Sequence, residues 1–399
     1  MKLAYWLSYC LNNVYILSLM YSTMRLSKKV LLAVLGLAHT LNHSFHIALP
    51  PLVPLMVREF NVSLSDVGLV ATIAYFMYGF GALLGGKLSD KASASSVIAA
   101  TLLLSGLSSL ILLFQKSLLF FSISFILISF WASFYHPASN TLLAYVFSDA
   151  QASAMGVHGA LGSLGQIIIP TIAIVLALAF DWRIPFIVLG LVSIFTSIYF
   201  IKTPSLKPTL KTDSVLGGVK RSVLLKIAIF TVFVGLYFRG VELYLPTYLK
   251  ELKGFTEVLA GVALSIVLFS GMIGQILTGR FADVLGDRRM LVAAKIGVVL
   301  SLIALQIFPG ALVAIIAILV YGLSYYGHQP AFTSLIGRMF RGSGMGGVYG
   351  LVFFMTFGLS SISAFISGYI ATIYGLTYSY MVLTFFALAA LATILTLRS

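Results

Sequence analysis

Residues 85–91 read Gly-Gly-Lys-Leu-Ser-Asp-Lys, and residues 278–284 read Thr-Gly-Arg-Phe-Ala-Asp-Val. The second glycine, the basic residue and the aspartate of the first stretch return in the second, 193 residues later. Pro137-Ala138 returns as Pro330-Ala331 at the same offset. The chain is therefore built from two similar halves, which in membrane proteins places the working site between them. The repeated positions are Gly86, Lys87, Asp90, Gly279, Arg280 and Asp283.

Composition places the chain in a lipid bilayer. Hydrophobic residues make up 60% of the 399 residues and charged residues 9%, whereas a soluble domain is about a quarter charged. A helix needs roughly 20 apolar residues to cross a membrane. We therefore predict an all-α integral membrane protein with twelve transmembrane helices in two six-helix bundles. The predicted spans are residues 30–57, 65–87, 96–114, 118–147, 151–179, 184–201, 223–249, 257–279, 290–308, 311–339, 345–373 and 377–397.

One long polar stretch, residues 202–222, separates the two sets of six spans. It holds two prolines, five basic residues and a Gly-Gly pair, a composition typical of an exposed linker. The predicted division is an N-terminal segment at 1–29, a bundle at 30–201, this linker, and a second bundle at 223–399.

The net charge of +14 follows the predicted topology. Eighteen Lys and Arg residues, counting Lys295, fall on the linker side of the membrane, and five fall on the other side. The richer side is cytoplasmic by the positive-inside rule, which puts both termini in the cytoplasm of a multi-pass cell-membrane protein. We expect contacts with anionic membrane lipids and no nucleic-acid partner.

The first 23 residues admit three interpretations. They are apolar and aromatic, but Asn12-Asn13 interrupts the run, and no convincing cleavage site marks a signal peptide. The segment is an interfacial helix, a thirteenth span, or a stretch that precedes the true first residue because the translation start is assigned too early. Met24 is followed by Arg25-Leu26-Ser27-Lys28-Lys29, a suitable cytoplasmic N-terminus, and this favours the last interpretation.

Transport is the function that the composition favours. The other loops are too short for a soluble catalytic domain, and the Gly-x-x-x-x-Gly-Lys-Ser/Thr loop of ATP-driven pumps does not occur. Cys10 is the only cysteine, which excludes an intramolecular disulfide and a thiolate metal cluster. We predict a transporter driven by an ion gradient or by the gradient of its substrate, without enzymatic activity and without a cofactor.

The repeated stretch resembles the loop signature of the major facilitator superfamily, Gly-x-Leu-Ala-Asp-Arg-x-Gly-Arg-Lys/Arg. The family carries it between spans two and three and again between spans eight and nine, where both copies lie here. The first copy matches through Asp90, and the second also keeps Gly286 and Arg288. The resemblance covers residues 30–399 and implies two six-helix bundles that rock about a central cavity.

The repeated residues have a predicted gating role. Gly86 and Gly279 would let neighbouring helices approach closely at the cytoplasmic edge. Asp90 and Asp283 would accept hydrogen bonds from a helix N-terminus of the opposite half, closing that face until the latch breaks. The alternative is a tight turn with solvated charges, and the repetition favours the latch.

Four polar residues share one face of the first predicted span, because their spacing is i, i+3, i+4, i+7. They are His39, Asn42, His43 and His46. Polar groups in a spanning helix usually face the bundle interior, and histidine changes charge near physiological pH. We favour substrate or proton handling over structural hydrogen bonding. A metal site is the least favoured interpretation, because no carboxylate or thiolate shares the face, and none is predicted.

Two further stretches resemble the fosmidomycin-resistance branch of the superfamily. Tyr135-His136-Pro137-Ala138 ends the fourth predicted span, and a Gly-x-His-x-x-x-Gly run from Gly156 to Gly162 opens the fifth. The stretch from His39 to Pro51 is also similar to that branch. The branch often has an acidic residue where this chain has Asn42, which leaves the details of proton coupling open.

The repeated prolines predict interruptions in the fourth and tenth spans. Broken helices at matching positions of two halves point to the binding region, so we expect Tyr135, His136, His328 and Gln329 to reach the cavity. Kinking alone is the alternative. Glycines 156, 159, 162 and 165 recur every third residue, which favours close helix packing. His158 among them is equally compatible with packing and with binding.

Arg239 and Glu242 lie three residues apart inside the seventh predicted span and can pair on one face. Glu242 is either a structural partner of the arginine or a proton carrier, and the sequence does not decide between them. Arg239 suits a carboxylate or phosphonate, because its guanidinium is a planar fork. Spans one and seven are symmetry mates in the family, so an anion between them would meet a histidine and Arg239.

These features favour a small anionic or polar substrate. We predict proton-coupled efflux by an antiporter, comparable to a fosmidomycin-resistance drug exporter. The runner-up is a proton-coupled uptake symporter for an organic anion or sugar, and a membrane-embedded enzyme is a distant third. The expected partners are a small-molecule substrate, protons and membrane lipids, and the expected state is a monomer.

Overall fold

The computed structural model describes the backbone of residues 2–89, 92–114, 116–147, 151–203, 221–339 and 351–397, and all regular structure in these ranges is helical. The α-helices are α1 Lys2–Phe60, α2 Leu64–Ser89, α3 Ala94–Ser109, α4 Leu118–Ala132, α5 Tyr135–Val146, α6 Gln151–Ala179, α7 Ile184–Lys202, α8 Arg221–Lys253, α9 Glu257–Leu285, α10 Asp287–Ile307, α11 Ala311–Met339, α12 Ile362–Tyr374 and α13 Leu376–Thr396.

Twelve helical segments among these ranges are long and apolar enough to cross a membrane, which confirms the predicted fold class. Spans 1 to 6 are Lys28–Phe60, Leu64–Gly85, Ala94–Leu113, Leu118–Asn140, Val157–Ala179 and Ile184–Lys202. Spans 7 to 12 are Ser222–Lys253, Glu257–Ala282, Asp287–Ile307, Ala311–Ile336, Leu351–Tyr374 and Leu376–Thr396. Most of the predicted linker, from 204 to 220, lies outside the described residues.

Helix α1 is longer than span 1. Its backbone is helical without interruption from Lys2, so the N-terminal segment continues directly into the span. The helix also runs through Pro50, Pro51 and Pro54 near its end. The choice among the three interpretations of the first 23 residues stays a prediction.

The two repeated prolines behave differently. Span 4 is broken, because α4 ends at Ala132 and α5 begins at Tyr135 after a turn. The break includes Ser133, whose carbonyl is the one that the ring of Pro137 would meet in a continuous helix. Pro330 instead lies inside the continuous helix α11. The expected interruption is therefore present in span 4, whereas the expected break in span 10 is wrong.

The halves pack through spans 2 and 11 and through spans 5 and 8. Close approach between spans 2 and 11 depends on glycine, because a side chain at Gly68 would overlap the carbonyl of Ala364. A side chain at Gly79 would likewise overlap the backbone of Gly358. At Gly279 an added Cβ would lie 3.8 Å from Pro330 of the same half, an ordinary contact. Packing in this conformation thus does not require glycine at position 279, and the gating role of Gly279 stays a prediction.

Hydrogen bonds join the halves near the predicted external end, which carries the turns at 61–63 and 254–256. Thr72 lies eight residues into span 2 and Ser265 eight residues into span 8, which is about 12 Å along each helix. An ion pair between Arg58 and Glu257 joins the halves at the same end. The hydrogen bonds are Tyr244 Oη to Leu64 O (2.8 Å), Ser65 N to Thr372 Oγ1 (3.1 Å), Thr72 Oγ1 to Ser361 O (2.9 Å) and Thr171 Oγ1 with Ser265 Oγ (3.0 Å).

The predicted latch lies mostly outside the described residues. Asp90, the side chain of Asp283 and the surroundings of Gly86 belong to this part of the chain. Arg280 is exposed on α9. The latch therefore stays a prediction.

Candidate functional site

Three histidine rings from two elements meet in the N-terminal half. His39 and His43 lie one helical turn apart on span 1, and His136 lies in the first turn of α5, just after the break in span 4. Their ring centroids are 5.0–5.2 Å apart. Nε2 of His43 lies 3.1 Å from Nε2 of His136, a hydrogen-bonding distance. We call these three residues the histidine cluster.

Tyr135 and His158 pack against the histidine cluster and hydrogen-bond to each other. The hydroxyl of Tyr135 donates to the carbonyl of Leu35 at 2.7 Å. Because that bond uses its only hydrogen, Nε2–H of His158 donates to the Tyr135 oxygen at 2.9 Å. The ring of His158 stacks on His39 with centroids 4.4 Å apart. His158 thus both packs and forms part of the site, although sequence analysis left it outside the predicted site residues.

Glycine in span 5 makes room for this arrangement. A side chain at Gly162 would overlap the His39 ring, and one at Gly165 would overlap Thr40. Close packing is therefore confirmed at these two positions. Gly159 has no neighbour within 4 Å among the described residues, so the packing role predicted there is not seen. The surroundings of Gly156 lie outside the described residues.

The other two polar residues of the span 1 face point to a separate, buried environment. Nε2 of His46 hydrogen-bonds Oγ of Ser129 at 2.9 Å, and Asn42 Nδ2 donates to the hydroxyl of Tyr78 at 3.1 Å. The ring of His46 also packs against Tyr75, with centroids 5.6 Å apart. The four polar residues are therefore divided between two environments.

Arg239 of span 7 lies at the contact between the halves. Its guanidinium stands 4.3 Å from the ring centre of Tyr75 in span 2 and 4.5 Å from that of Phe357 in span 11. Such cation–π contacts are favourable when they are desolvated, and Arg239 is only 4% exposed. The arginine thus bridges the two bundles through aromatic rings.

Glu242 is the ionic partner of Arg239. Nη1 of the arginine donates to Oε2 of Glu242 at 2.6 Å, and both side chains are largely buried. The pairing predicted from their spacing is confirmed. It leaves Nε of Arg239 without a hydrogen-bond acceptor in the described part of the chain.

An aromatic pair lies between the histidine cluster and Arg239. Phe353 and Phe357 stack with centroids 4.3 Å apart, beside a π-helical turn at Phe354–Gly358. Phe353 packs on His136 at 6.0 Å, and Phe357 packs on Arg239. The contacts from the histidine cluster to Arg239 thus run through two phenylalanines in this conformation.

A cavity of about 330 Å³ lies in the C-terminal half among spans 7, 10 and 11. Small-molecule sites are typically 300–1,000 Å³. His328 and Gln329, two of the predicted site residues, line it, and Gln329 also accepts a hydrogen bond from Gln275 at 2.9 Å. The other lining residues are Phe230, Thr231, Val234, Tyr325, Phe332, Thr333, Val352, Phe353, Thr356 and Phe357.

Lys295 packs against two residues that line this cavity. The sequence analysis counted it among the basic residues on the linker side of the membrane, and that position is wrong. It is 0% exposed inside span 9, not in a loop. Nζ donates to the hydroxyl of Tyr237 at 2.7 Å and lies over the rings of Phe230 and Tyr325, both of which line the cavity. The sequence indicates the buried position of Lys295 by the stretch Leu-Val-Ala-Ala-Lys-Ile-Gly-Val-Val at 291–299, which is apolar on both sides of the lysine.

The predicted site residues thus form three groups. The first is the histidine cluster with Tyr135; the second is Asn42 and His46 beside Tyr75 and Tyr78; the third is in the C-terminal half. The third group holds Arg239, Glu242, His328 and Gln329.

Comparison with known proteins identifies the family. The model of the Major Facilitator Superfamily matches residues 35–364. The chain is 24% identical over 280 residues to the probable sulfoacetate transporter SauU of Cupriavidus necator, covering 64% of this chain and 65% of SauU, just under two thirds of that relative. It is 23% identical over 319 residues to the cis,cis-muconate transport protein of Acinetobacter baylyi, covering 73% of this chain and 76% of that protein.

A solved structure gives the same fold. The nucleoside transporter NupG, solved as a point mutant, superposes with a TM-score of 0.79 at 14% identity, covering 93% of this chain and all of NupG. The matched proteins are named as transporters and not as enzymes. These matches leave the fosmidomycin-resistance branch as a resemblance in short motifs.

Proposed function

This chain belongs to the Major Facilitator Superfamily, and we propose that within it the chain moves small organic anions across the cell membrane by proton-coupled alternating access. The observation that carries the proposal is the charge of the C-terminal half. Arg239 and Glu242 offset one another, whereas Lys295 has no carboxylate partner among the described residues.

An uncompensated charge in a membrane interior is costly and typically marks a functional site. Lys295 is buried against Phe230 and Tyr325, whose other surfaces line the cavity. A small anion in the cavity would be attracted to this charge through the two rings that separate them. His328 and Gln329 supply hydrogen-bonding groups in the same wall, which suits a carboxylate, sulfonate or phosphonate.

Glu242 is the proposed proton carrier. It is a titratable carboxylate deep inside span 7, and its partner Arg239 contacts both halves through Tyr75 and Phe357. Movement of the halves would separate Arg239 from one of these rings. The ion pair thereby senses the conformational state, which coupling requires.

Alternating access is supported by the joined external end. The bonds from Thr72, Thr171 and Tyr244 must break for that end to open. At the opposite end Gly86, Asp90, Gly279, Arg280 and Asp283 form the proposed latch, which would hold the alternative state closed. The basic side, with both termini, is proposed to face the cytoplasm.

Export is the proposed direction, on the resemblance of the Tyr-His-Pro-Ala stretch at 135–138 to the fosmidomycin-resistance branch. Uptake is the second candidate. It is favoured by relatives named for sulfoacetate and cis,cis-muconate transport. Both directions use the same cavity and the same proton carrier.

Transport in proteoliposomes with an imposed pH gradient tests the proposal. A panel of carboxylates, sulfonates, phosphonates and a neutral sugar should show proton-driven movement of anions only, and the sign of the gradient that drives accumulation gives the direction. Glu242→Gln should abolish accumulation while exchange of labelled for unlabelled anion continues. Movement of the sugar but of no anion would refute the anion site, and accumulation by Glu242→Gln would refute the proton carrier.

A further inference from the structure

The histidine cluster has the geometry of a metal site. One ligand nitrogen from each of His39, His43 and His136 lies within 4.8 Å of the others. Zinc–imidazole bonds of 2.0–2.1 Å in a tetrahedral site put neighbouring ligand nitrogens about 3.3 Å apart. The His43 and His136 nitrogens are already 3.1 Å apart, so these two ligands have the separation that a shared ion requires.

Hydrogen bonds outside the cluster orient one ligand. The carbonyl of His158 can only accept, so Nδ1 of His39 carries the proton in their 3.3 Å contact. Neutral His39 therefore keeps the lone pair of Nε2 free. Metal-binding histidines are usually fixed in this way, by a second hydrogen bond from the ring nitrogen that does not bind the metal.

Accessibility separates these three residues from the other histidines. His39, His43 and His136 are each partly exposed. The remaining three of the six histidines, His46, His158 and His328, are buried and engaged with Ser129, Tyr135 and the Tyr325 carbonyl. The three cluster residues thus keep exposed surface and a nitrogen free for an ion, whereas each of the other histidines already has a hydrogen-bond partner.

We propose that His39, His43 and His136 bind a divalent transition-metal ion of the class that prefers imidazole, with zinc as the reference ion. Three neutral nitrogen ligands suit Zn²⁺, Cu²⁺ or Ni²⁺ better than the oxygen-preferring Mg²⁺ or Ca²⁺. Three protein ligands also leave a coordination position open for water or an anion, as in zinc sites that are not closed.

The site belongs to one half of the protein. All three ligands lie on spans 1 and 4 of the N-terminal bundle, so a bound ion would not tie the halves together. It would instead place two positive charges on the His136 side of Phe353, whose ring lines the cavity of the other half. Metal binding is independent of the anion proposal, because the cavity residues do not belong to the cluster.

Metal binding by the full-length protein tests the site. Protein purified without a histidine tag and stripped with a chelator should bind one equivalent of Zn²⁺ in titration calorimetry. Co²⁺ in place of Zn²⁺ should give the intense visible absorption of a four-coordinate site. X-ray absorption of the zinc form should show imidazole nitrogens at about 2.0–2.1 Å.

His43→Gln and His136→Gln should each weaken Zn²⁺ binding at least about 100-fold, because loss of an outer hydrogen bond alone costs 10–100-fold. The matched controls are His46→Gln, on the same span, and His328→Gln, in the other half, both of which should bind as wild type does. Only variants that elute from size-exclusion chromatography as a single monodisperse peak are compared, because such elution indicates folded protein. Absence of stoichiometric binding by wild type, an oxygen-only coordination sphere, or wild-type Zn²⁺ affinity in both cluster variants would each overturn the proposal.

Discussion

The two halves of this protein share a fold and a sequence repeat, but they carry different chemistry. The N-terminal half holds the histidine cluster, whereas the C-terminal half holds Arg239, Glu242 and Lys295. At the repeat offset of 193 residues, Arg239 corresponds to His46. Both contact Tyr75, so the repeated positions meet at the boundary between the halves. The two equivalent positions thus share their place at the boundary but differ in residue type, histidine in one half and arginine in the other.

Lys295 has no charged counterpart in the first half. The corresponding residue at the same offset is Leu102, which is buried in the apolar core of span 3. The sequence repeat therefore indicates where the site lies, whereas the positions at which the two halves differ, such as Lys295 and Leu102, determine what the site binds. A substrate anion would therefore be recognised mainly by the C-terminal half.

The largest expected effect comes from Arg239→Gln. It leaves Glu242 buried without its partner, and breaking a buried ion pair typically costs about 3–5 kcal/mol. Unfolding in mixed detergent micelles should show a loss of that size, and Glu242→Gln added to it should restore most of the stability. His46→Gln, at the corresponding position, should cost only about 0.5–1.5 kcal/mol for a neutral hydrogen bond. Equal losses for the two variants would remove the contrast between the halves.

Lys295→Met separates function from stability. Aromatic rings separate Lys295 from the cavity, so it acts on the anion through space. Two unit charges roughly 10 Å apart attract by about 1.7 kcal/mol at an effective dielectric constant of about 20, so anion affinity should fall by about tenfold. Replacing a buried charge by an apolar residue is often neutral or stabilising, so the Tm should stay the same or rise. Lys226→Met removes a lysine that bonds the Thr396 carbonyl at the membrane edge and serves as the control, with unchanged affinity. A lower Tm with unchanged anion affinity would make Lys295 a structural residue.

Periodicity and composition predicted the twelve spans because a bilayer imposes length and apolarity on each helix separately. The pairing of Arg239 with Glu242 was predictable for the same reason, since the two lie three residues apart on one helix. The meeting of His39 with His158 depends on how Gly162 admits the imidazole ring, which local pattern does not encode. Lys295 was misplaced because counting charges by side ignores how deeply a residue lies in its helix.

Glycine substitutions in span 5 probe the N-terminal side of the comparison. Gly162→Ala would put a methyl group into the His39 ring, and overpacking typically costs about 1–3 kcal/mol. No described residue lies within 4 Å of a side chain added at Gly159, so Gly159→Ala should leave the Tm unchanged or raise it. Thermal unfolding of both variants in the same detergent measures the difference. Equal Tm values would mean that the ring of His39 moves freely, and the orientation argued for the histidine cluster would not hold.

The smallest expected effect concerns the external end, where the halves are joined by charge. Arg58 is 58% exposed and pairs with Glu257 of the other half, and exposed pairs are worth about 0.2–1 kcal/mol. Arg58→Gln should thus raise the population open at that end by up to about fivefold. The measurement is faster labelling of a cysteine at Leu264 in span 8, in a Cys10→Ser background. Leu264 is buried and packs with Ile47 of the other half, so it becomes accessible when the halves separate.

Lys116→Gln is the matched control for this last variant. Lys116 pairs with Glu59 at 2.7 Å and Asp181 at 3.0 Å, all within the N-terminal half. Burial raises the pKa of Asp181, but hydrogen bonds from Arg183 and Lys116 lower it below its ordinary value, so this network is charged at neutral pH. Its loss should affect the stability of one half and leave labelling at position 264 unchanged. Equal acceleration by Lys116→Gln would show that surface charge in general, and not the contact between the halves, holds that end closed.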